Sequence, residues 1–221
     1  EKLIQVILDA QLSDGGWDLS ADKADPDMTA MAIQALAPYY KANEAVKAAV
    51  DKALEALSAL QRPDGGFGSW GTVNSESCAQ VVVALTALGI DPATDPRFVK
   101  SGGSALDALL RYYVDGGGFR HLPEGERDGM ATEQGYYALT AYFRFRNGET
   151  ALYDMTDVLD KGGDYADTPA PSPTAPKAAP EKAAEKKPIS PLLIIGIALI
   201  VLGAGTVAAL VILRKTCENE E

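Results

Sequence analysis

Few side chains in this chain could do chemistry, and their types and spacing limit what that chemistry is. The 221 residues include one His and two Cys. His121 alone rules out a His-rich metal site, and Cys78 with Cys217 cannot make a disulfide scaffold. What remains is carboxylate. Asp25 and Asp27 stand just ahead of an apolar helical pattern, and Glu76 precedes Cys78 by two positions. An acid in the first turn of a helix favours the helix dipole. The same acid, shielded from water and backed by neighbours, could deliver a proton. Cys78 lies within an apolar stretch and reads as a small buried residue. The net charge of −11 lacks the basic footprint that a nucleic-acid binder needs.

The elements that must hold these groups repeat. Gly15-Gly16-Trp17 recurs as Gly65-Gly66-Phe67 and as Gly117-Gly118-Phe119. About twenty residues later each copy reaches an Ala-Leu pair, at Ala35-Leu36, Ala84-Leu85 and Ala138-Leu139. The repeats span about 1–42, 43–90 and 91–148. Each predicts two helices. Those before the glycines run Lys2–Leu12, Glu44–Gln61 and Ser104–Tyr113; those after them run Met28–Ala37, Glu76–Gly89 and Ala131–Arg146. A short helix is expected at 151–161. No sustained apolar/polar alternation signals a strand, so the fold class is all-α. Gly after a helix lets the chain reverse, and the following aromatic can cover the helix ends.

Gln11-Leu-Ser-Asp-Gly15-Gly-Trp17 resembles the Gln-x-x-x-Gly-x-Trp motif of the prenyltransferase and squalene/terpene-cyclase repeat. Gln61-Arg-Pro-Asp-Gly65-Gly-Phe67 is similar, and the third copy lacks the Gln. The resemblance implies an α/α toroid, here a partial or open ring of helix pairs, in which the Gln and the aromatic tie neighbouring helices together. It also implies relatives with unrelated functions: terpene cyclases, prenyltransferases, thioester domains, cobalamin carriers and bacterial surface proteins. Asp25-Pro-Asp27-Met-Thr-Ala30 resembles the cyclase acid motif, with Asp27 at the middle acid and Met28 in place of the next one. Glu76-Ser77-Cys78 falls where prenyltransferases begin a zinc site, but His121 is displaced from the matching place. Neither a metal nor a cofactor is expected. In such a ring the first turns of the inner helices line one mouth, which would gather Asp27, Glu76, Gln80, Glu133, Gln134 and Trp70 as ligand-binding residues. Enzymatic activity is left open, with both catalytic motifs incomplete.

Beyond the repeats, residues 166–190 are rich in Pro, Ala, Lys and Glu and read as an extended spacer. Leu192 to Leu213 carries no charge over 22 residues, enough for one transmembrane helix at 191–213. Arg214 and Lys215 follow, and residues 1–168 carry a net charge of −12. These features place the domain (1–165) outside the cell membrane and the tail (214–221) in the cytoplasm. The expected partners are the lipid bilayer and an extracellular ligand or surface protein, with no nucleic acid. Three helix pairs are about half of what a closed ring of this class uses, so the chain reads as the C-terminal part of a longer surface protein. Its expected role is a binding or structural module; the alternatives are a polyprenyl or terpenoid cyclase- or prenyltransferase-like enzyme and a cobalamin-carrier-like binder.

Overall fold

Five side chains decide where the helices begin. Asp25 caps α2 (Pro26–Leu36) by accepting the Asp27 and Met28 amides, and Asn43 caps α3 (Glu44–Leu60) in the same way. Asn74 caps α4 (Ser75–Ala87), Ser104 caps α5 (Ala105–Leu110) through a capping box with Asp107, and Asp128 caps α6 (Gly129–Arg146). Each such cap is worth about 1 kcal/mol. Ahead of them runs α1 (Lys2–Asp9). These elements come from a computed structural model of the chain, which describes residues 2–154, 156 and 157.

All six helices fall where the repeat puts them, with shifted ends. Pro26 begins α2 because its missing N–H and fixed φ suit the first helical position. α1 stops before Leu12, since Leu12 turns to donate its amide to Gly16 O. α5 stops before Tyr113, whose backbone bridges to Phe119.

The expectation of a purely helical chain is corrected by three antiparallel hairpins of two-residue strands. These are β1 (Gly68–Ser69) with β2 (Thr72–Val73), β3 (Val99–Lys100) with β4 (Gly103–Ser104), and β5 (Phe119–Arg120) with β6 (Arg127–Asp128). Each ends at or one residue before a helix N-cap and hands the chain to α4, α5 or α6. Strands this short carry no hydrophobic alternation, so no pattern of period two could announce them.

α4 sits in the middle. It packs against α2 on one side and α6 on the other, and against α5. α3 packs on α2, and α1 on α3. Ten of the thirteen residues of α4 are buried, so its apolar character runs around the helix. Phe67, Phe98 and Phe119 are fully buried in the same core, each worth about 1.5–3 kcal/mol against exposure. α1 has no fully buried residue: Ile4, Ile7 and Leu8 touch the core, while Leu3 and Val6 are exposed.

The repeat motif does the same work twice. Gln11 Nε2 donates to Gly15 O in its own corner and to Ala49 O on α3, at 2.7 and 2.8 Å. Gln61 Nε2 donates to Gly65 O and to Phe98 O, both at 2.9 Å. Each amide therefore fastens its own Gly-Gly corner to the next repeat. Asp14 and Asp64 close the same turn by accepting the Gly16 and Gly66 amides. Gly65 must be glycine: its φ is +87°, and a Cβ would lie 2.5 Å from Gly103 O.

Of the short helix expected at 151–161, residues 151–154 form a turn, Thr156 and Asp157 are helical, and the rest lies outside the described residues. So do the spacer at 166–190, the span at 191–213 and the tail at 214–221. Among the described residues no helix is long and apolar enough to cross a membrane.

Candidate functional site

The corners also set the register of α2, α4 and α6. Trp17 N donates to Thr29 Oγ1, and Phe119 N donates to Thr132 Oγ1. In the second repeat the Phe67 backbone meets Cys78 instead. Thr29, Cys78 and Thr132 are thus one structural position. Counting from it, Asp27, Glu76 and Met130 are equivalent. So are Met31, Gln80 and Gln134, and so are Gln34, Val83 and Tyr137. These positions are spaced by four and three, which puts them on one face of each of α2, α4 and α6.

Hydrogen bonds join that face across all three helices. Gln34 Nε2 on α2 donates to Gln80 O and Gln80 Oε1 on α4, at 3.1 and 3.0 Å. Gln80 Nε2 donates to Gln134 Oε1 and to Tyr137 Oη on α6, at 3.2 and 2.6 Å. Tyr137 Oη in turn donates to Gln134 Oε1 at 3.3 Å. Burial pushes the Tyr137 phenol up, so it stays a neutral donor. Residues 151–154 lie at the far end of this face, where Leu152 and Tyr153 share a cavity of about 180 Å³ with Gln34 and Val83.

The carboxylates stand at the other end, and they differ. Asp25 is fully engaged: its Oδ1 accepts the Asp27 and Met28 amides, and its Oδ2 accepts Ser69 Oγ from β1. Glu76 is engaged as well. His121 Nδ1 lies 2.9 and 2.8 Å from its two oxygens, and Ser75 Oγ donates to Oε2 at 3.0 Å. The Ser75 amide also donates to His121 O, so the loop after β5 is fastened to the start of α4.

Asp27 is the exception. Its Oδ1 is buried without a hydrogen-bond partner, and so is Ser77 Oγ. Burial raises the Asp27 carboxyl from 3.8 to about 6. The nearby Ser77 hydroxyl tempers the rise, although no hydrogen bond of normal geometry joins the two, and the Asp25 and Glu76 charges add to it. The helix dipole alone would leave this acid low, so desolvation wins here over the N-terminal position.

Four of the six expected ligand-binding residues come together: Asp27, Glu76, Gln80 and Gln134. Glu133 is exposed beside Gln134 and makes no hydrogen bond to the network. Trp70 lines a separate cavity with Asp18, Asp22, Asp25 and Leu60, and none of the other five lines it. Gln34, Ser77, His121 and Tyr137 belong to the site and were not expected in it. Comparing the repeats position by position would have found Gln34 and Tyr137; nothing in the sequence ties His121 to Glu76. Cys78 is buried beneath the corner, and its thiol is pushed up to about 12 by burial. That environment suits a packing residue rather than a thiolate ligand. Among the described residues no three His, Cys, Asp or Glu side chains are grouped to hold a metal ion.

No family model matches the chain. It is similar to drimenyl diphosphate synthase of Streptantibioticus cattleyicolor, with 31% identity over 153 residues. The match covers 66% of this chain and 27% of the synthase, so the chain spans about a quarter of that relative's length. This is a distant, terpenoid cyclase-like relationship.

Proposed function

We propose that the chain is a ligand-binding module on a terpene-cyclase-like repeat scaffold, its helix pairs an arc of an α/α toroid, held at the cell surface by the 191–213 span. The observation that carries the reading is the polar face of α2, α4 and α6. It combines three glutamines, Tyr137 and Glu76 with a buried, unpartnered oxygen of the part-buried Asp27. Such a face suits a ligand that offers N–H or O–H donors, in the cationic, sugar-like or corrinoid-like classes. A buried acceptor left open in the free protein becomes satisfied when such a donor arrives, which gives binding a specific gain. The test is calorimetric titration of the full chain with spermidine, glucosamine and cobalamin. Saturable binding that Asp27→Asn and Gln80→Ala both weaken supports the reading; no saturable binding of any of the three refutes it.

A second reading, a polyprenyl cyclase- or prenyltransferase-like enzyme, is favoured by the similarity to drimenyl diphosphate synthase and by Asp27 itself. Asp27 occupies the place of the middle cyclase acid, and its carboxyl at about 6 keeps a proton far better than a free one. Against this, Met28 replaces the adjoining acid, and the neighbouring groups are amides and carboxylates rather than the aromatic walls that shelter a cation. Turnover of a polyprenyl diphosphate that disappears in Asp27→Asn would establish the enzyme. Substrate left unchanged would remove it.

A further inference from the structure

Trp70 is the side chain that the fold itself does not use. It stands at the tip of the β1–β2 hairpin, where Ser69 pairs with Thr72 and the two-residue loop is Trp70-Gly71. Their φ angles of +53° and +79° make this a type I′ turn. That first loop position favours Asn, Asp or Gly; a bulky residue held there is strained. The strain gains no burial in return, since Trp70 is 77% exposed. The contrast with Trp17 is direct. Trp17 is buried, and its indole N–H donates to Ile7 O at 2.7 Å. The Trp70 indole N–H has no acceptor among the described residues.

The hairpin overhangs a cavity of about 340 Å³, within the range of small-ligand pockets, about 300–1,000 Å³. Asp18, Ser20, Asp22, Lys23, Leu60 and Trp70 line it, together with Asp25 and Pro26 at the start of α2. Asp18 is occupied with the Ser20 amide and hydroxyl, which hold the loop in shape. The Asp22 and Lys23 side chains enter no ion pair or hydrogen bond among the described residues; the Asp22 backbone helps to hold Asp18. The cavity therefore offers a flat aromatic face, a free acceptor and a free donor side by side.

We propose that this cavity is a carbohydrate-stacking subsite, in which the apolar face of a pyranose ring lies on Trp70 and its hydroxyls bond Asp22 and Lys23. An uncharged sugar ring matches this lining because it carries C–H faces and hydroxyls that both donate and accept. A quaternary or primary ammonium ligand would be attracted by the lining carboxylates, but Trp70 is the only aromatic in the lining, so no aromatic cage encloses such a cation, and choline is the competitor that tests it. A prenyl chain would leave the charged and hydroxyl groups without partners. The subsite shares only Asp25 with the α2–α4–α6 site, and that carboxylate is already engaged by Ser69 and two α2 amides, so either site can fail while the other holds.

The test uses the full 221-residue chain against immobilised cellohexaose, chitohexaose, xylohexaose and mannohexaose. Trp70→Asn keeps the turn, because Asn suits its conformation, and removes the aromatic face. Saturable binding to at least one hexaose is expected, weakened by about tenfold or more in Trp70→Asn and retained in Trp70→Tyr. Thermal unfolding of Trp70→Asn at or above the wild-type midpoint shows that the loss is one of contact and not of folding. Binding should be unchanged in Asp27→Asn. The proposal is overturned if no hexaose is retained, if Trp70→Asn binds as the wild type does, if Asp27→Asn alone abolishes binding, or if choline displaces the sugar.

Discussion

Replacing Asp27 by Asn should make the protein more stable, and only at neutral pH. The folded carboxyl sits at about 6 against 3.8 for an unperturbed one. At 1.36 kcal/mol per pKa step, ionising it in the folded state at pH 7 costs about 3 kcal/mol. Asp27 is only part-buried, so solvent returns some of this, and the expected gain is about 1–3 kcal/mol. The sign follows from linkage. A folded pKa above the unfolded one means that the native state binds more protons between about pH 4 and 6. Wild-type stability is therefore full below that window and falls as pH rises through it. Asn carries no charge and does not pay this cost. Urea unfolding of wild type and Asp27→Asn at pH 4 and pH 7 reads the difference directly. The two proteins should match at pH 4, with the variant ahead at pH 7. A gap of the same size at both pH values, or a variant less stable than wild type at pH 7, would refute the idea that Asp27 is a desolvated carboxyl held at a stability cost.

Gln61→Ala should lower stability by about 2–3 kcal/mol, since it removes two buried hydrogen bonds and leaves the carbonyls of Gly65 and Phe98 unmet; chemical denaturation measures it. Gln11→Ala should cost less, because its amide is only part-buried, and the same assay ranks the pair. Cys78→Thr should be neutral to within about 1 kcal/mol, as Thr29 and Thr132 already fill the equivalent place with the same backbone bond; a loss well beyond that by thermal melting would contradict the register. His121→Ala should speed hydrogen exchange at the Ser75 amide, which His121 O accepts, and change global stability by about 1 kcal/mol or less.

The parts of the fold that were legible are those that repeat. The glycine corners, the Gln clamps and the six helices all follow from a unit that recurs about every fifty residues and from caps such as Asn43. The hairpins were not legible, because two-residue strands at Gly68–Ser69 or Val99–Lys100 have no pattern of their own and exist only to aim the next helix. Asp27, Glu76, Gln80 and Gln134 could be placed on one face from the repeat geometry alone. The character of Asp27 could not. The dipole argument pointed to a low, comfortable carboxylate, and burial, with the Asp25 and Glu76 charges adding to it, reverses that against the pull of Ser77. His121 was out of reach for the same reason: its pairing with Glu76 spans 45 residues of sequence.

The three repeats serve as an alignment of the chain with itself, and that separates scaffold from site. At the corner the copies agree in what they do: Thr29, Cys78 and Thr132 all lie beneath the following aromatic, and Trp17, Phe67 and Phe119 all bury their rings. On the inner face the copies part company. The first position is Asp27, then Glu76, then Met130; the second is Met31, then Gln80, then Gln134; the third is Gln34, then Val83, then Tyr137. A face that served only to pack helices would repeat its residues as the corners do, since the same neighbours recur at each step. Divergence at that face is what an asymmetric ligand would require. It needs a carboxyl at one helix, an amide at the next and a phenol at the third. The same comparison isolates Trp70. Its hairpin follows the second corner, whereas the loop after the third corner carries His121 back to Glu76 and presents no aromatic at its tip. The copies thus share one framework and differ most at two places, the α2–α4–α6 face, where Asp27 Oδ1 is left without a partner among the described residues, and the hairpin tip, where Trp70 is exposed.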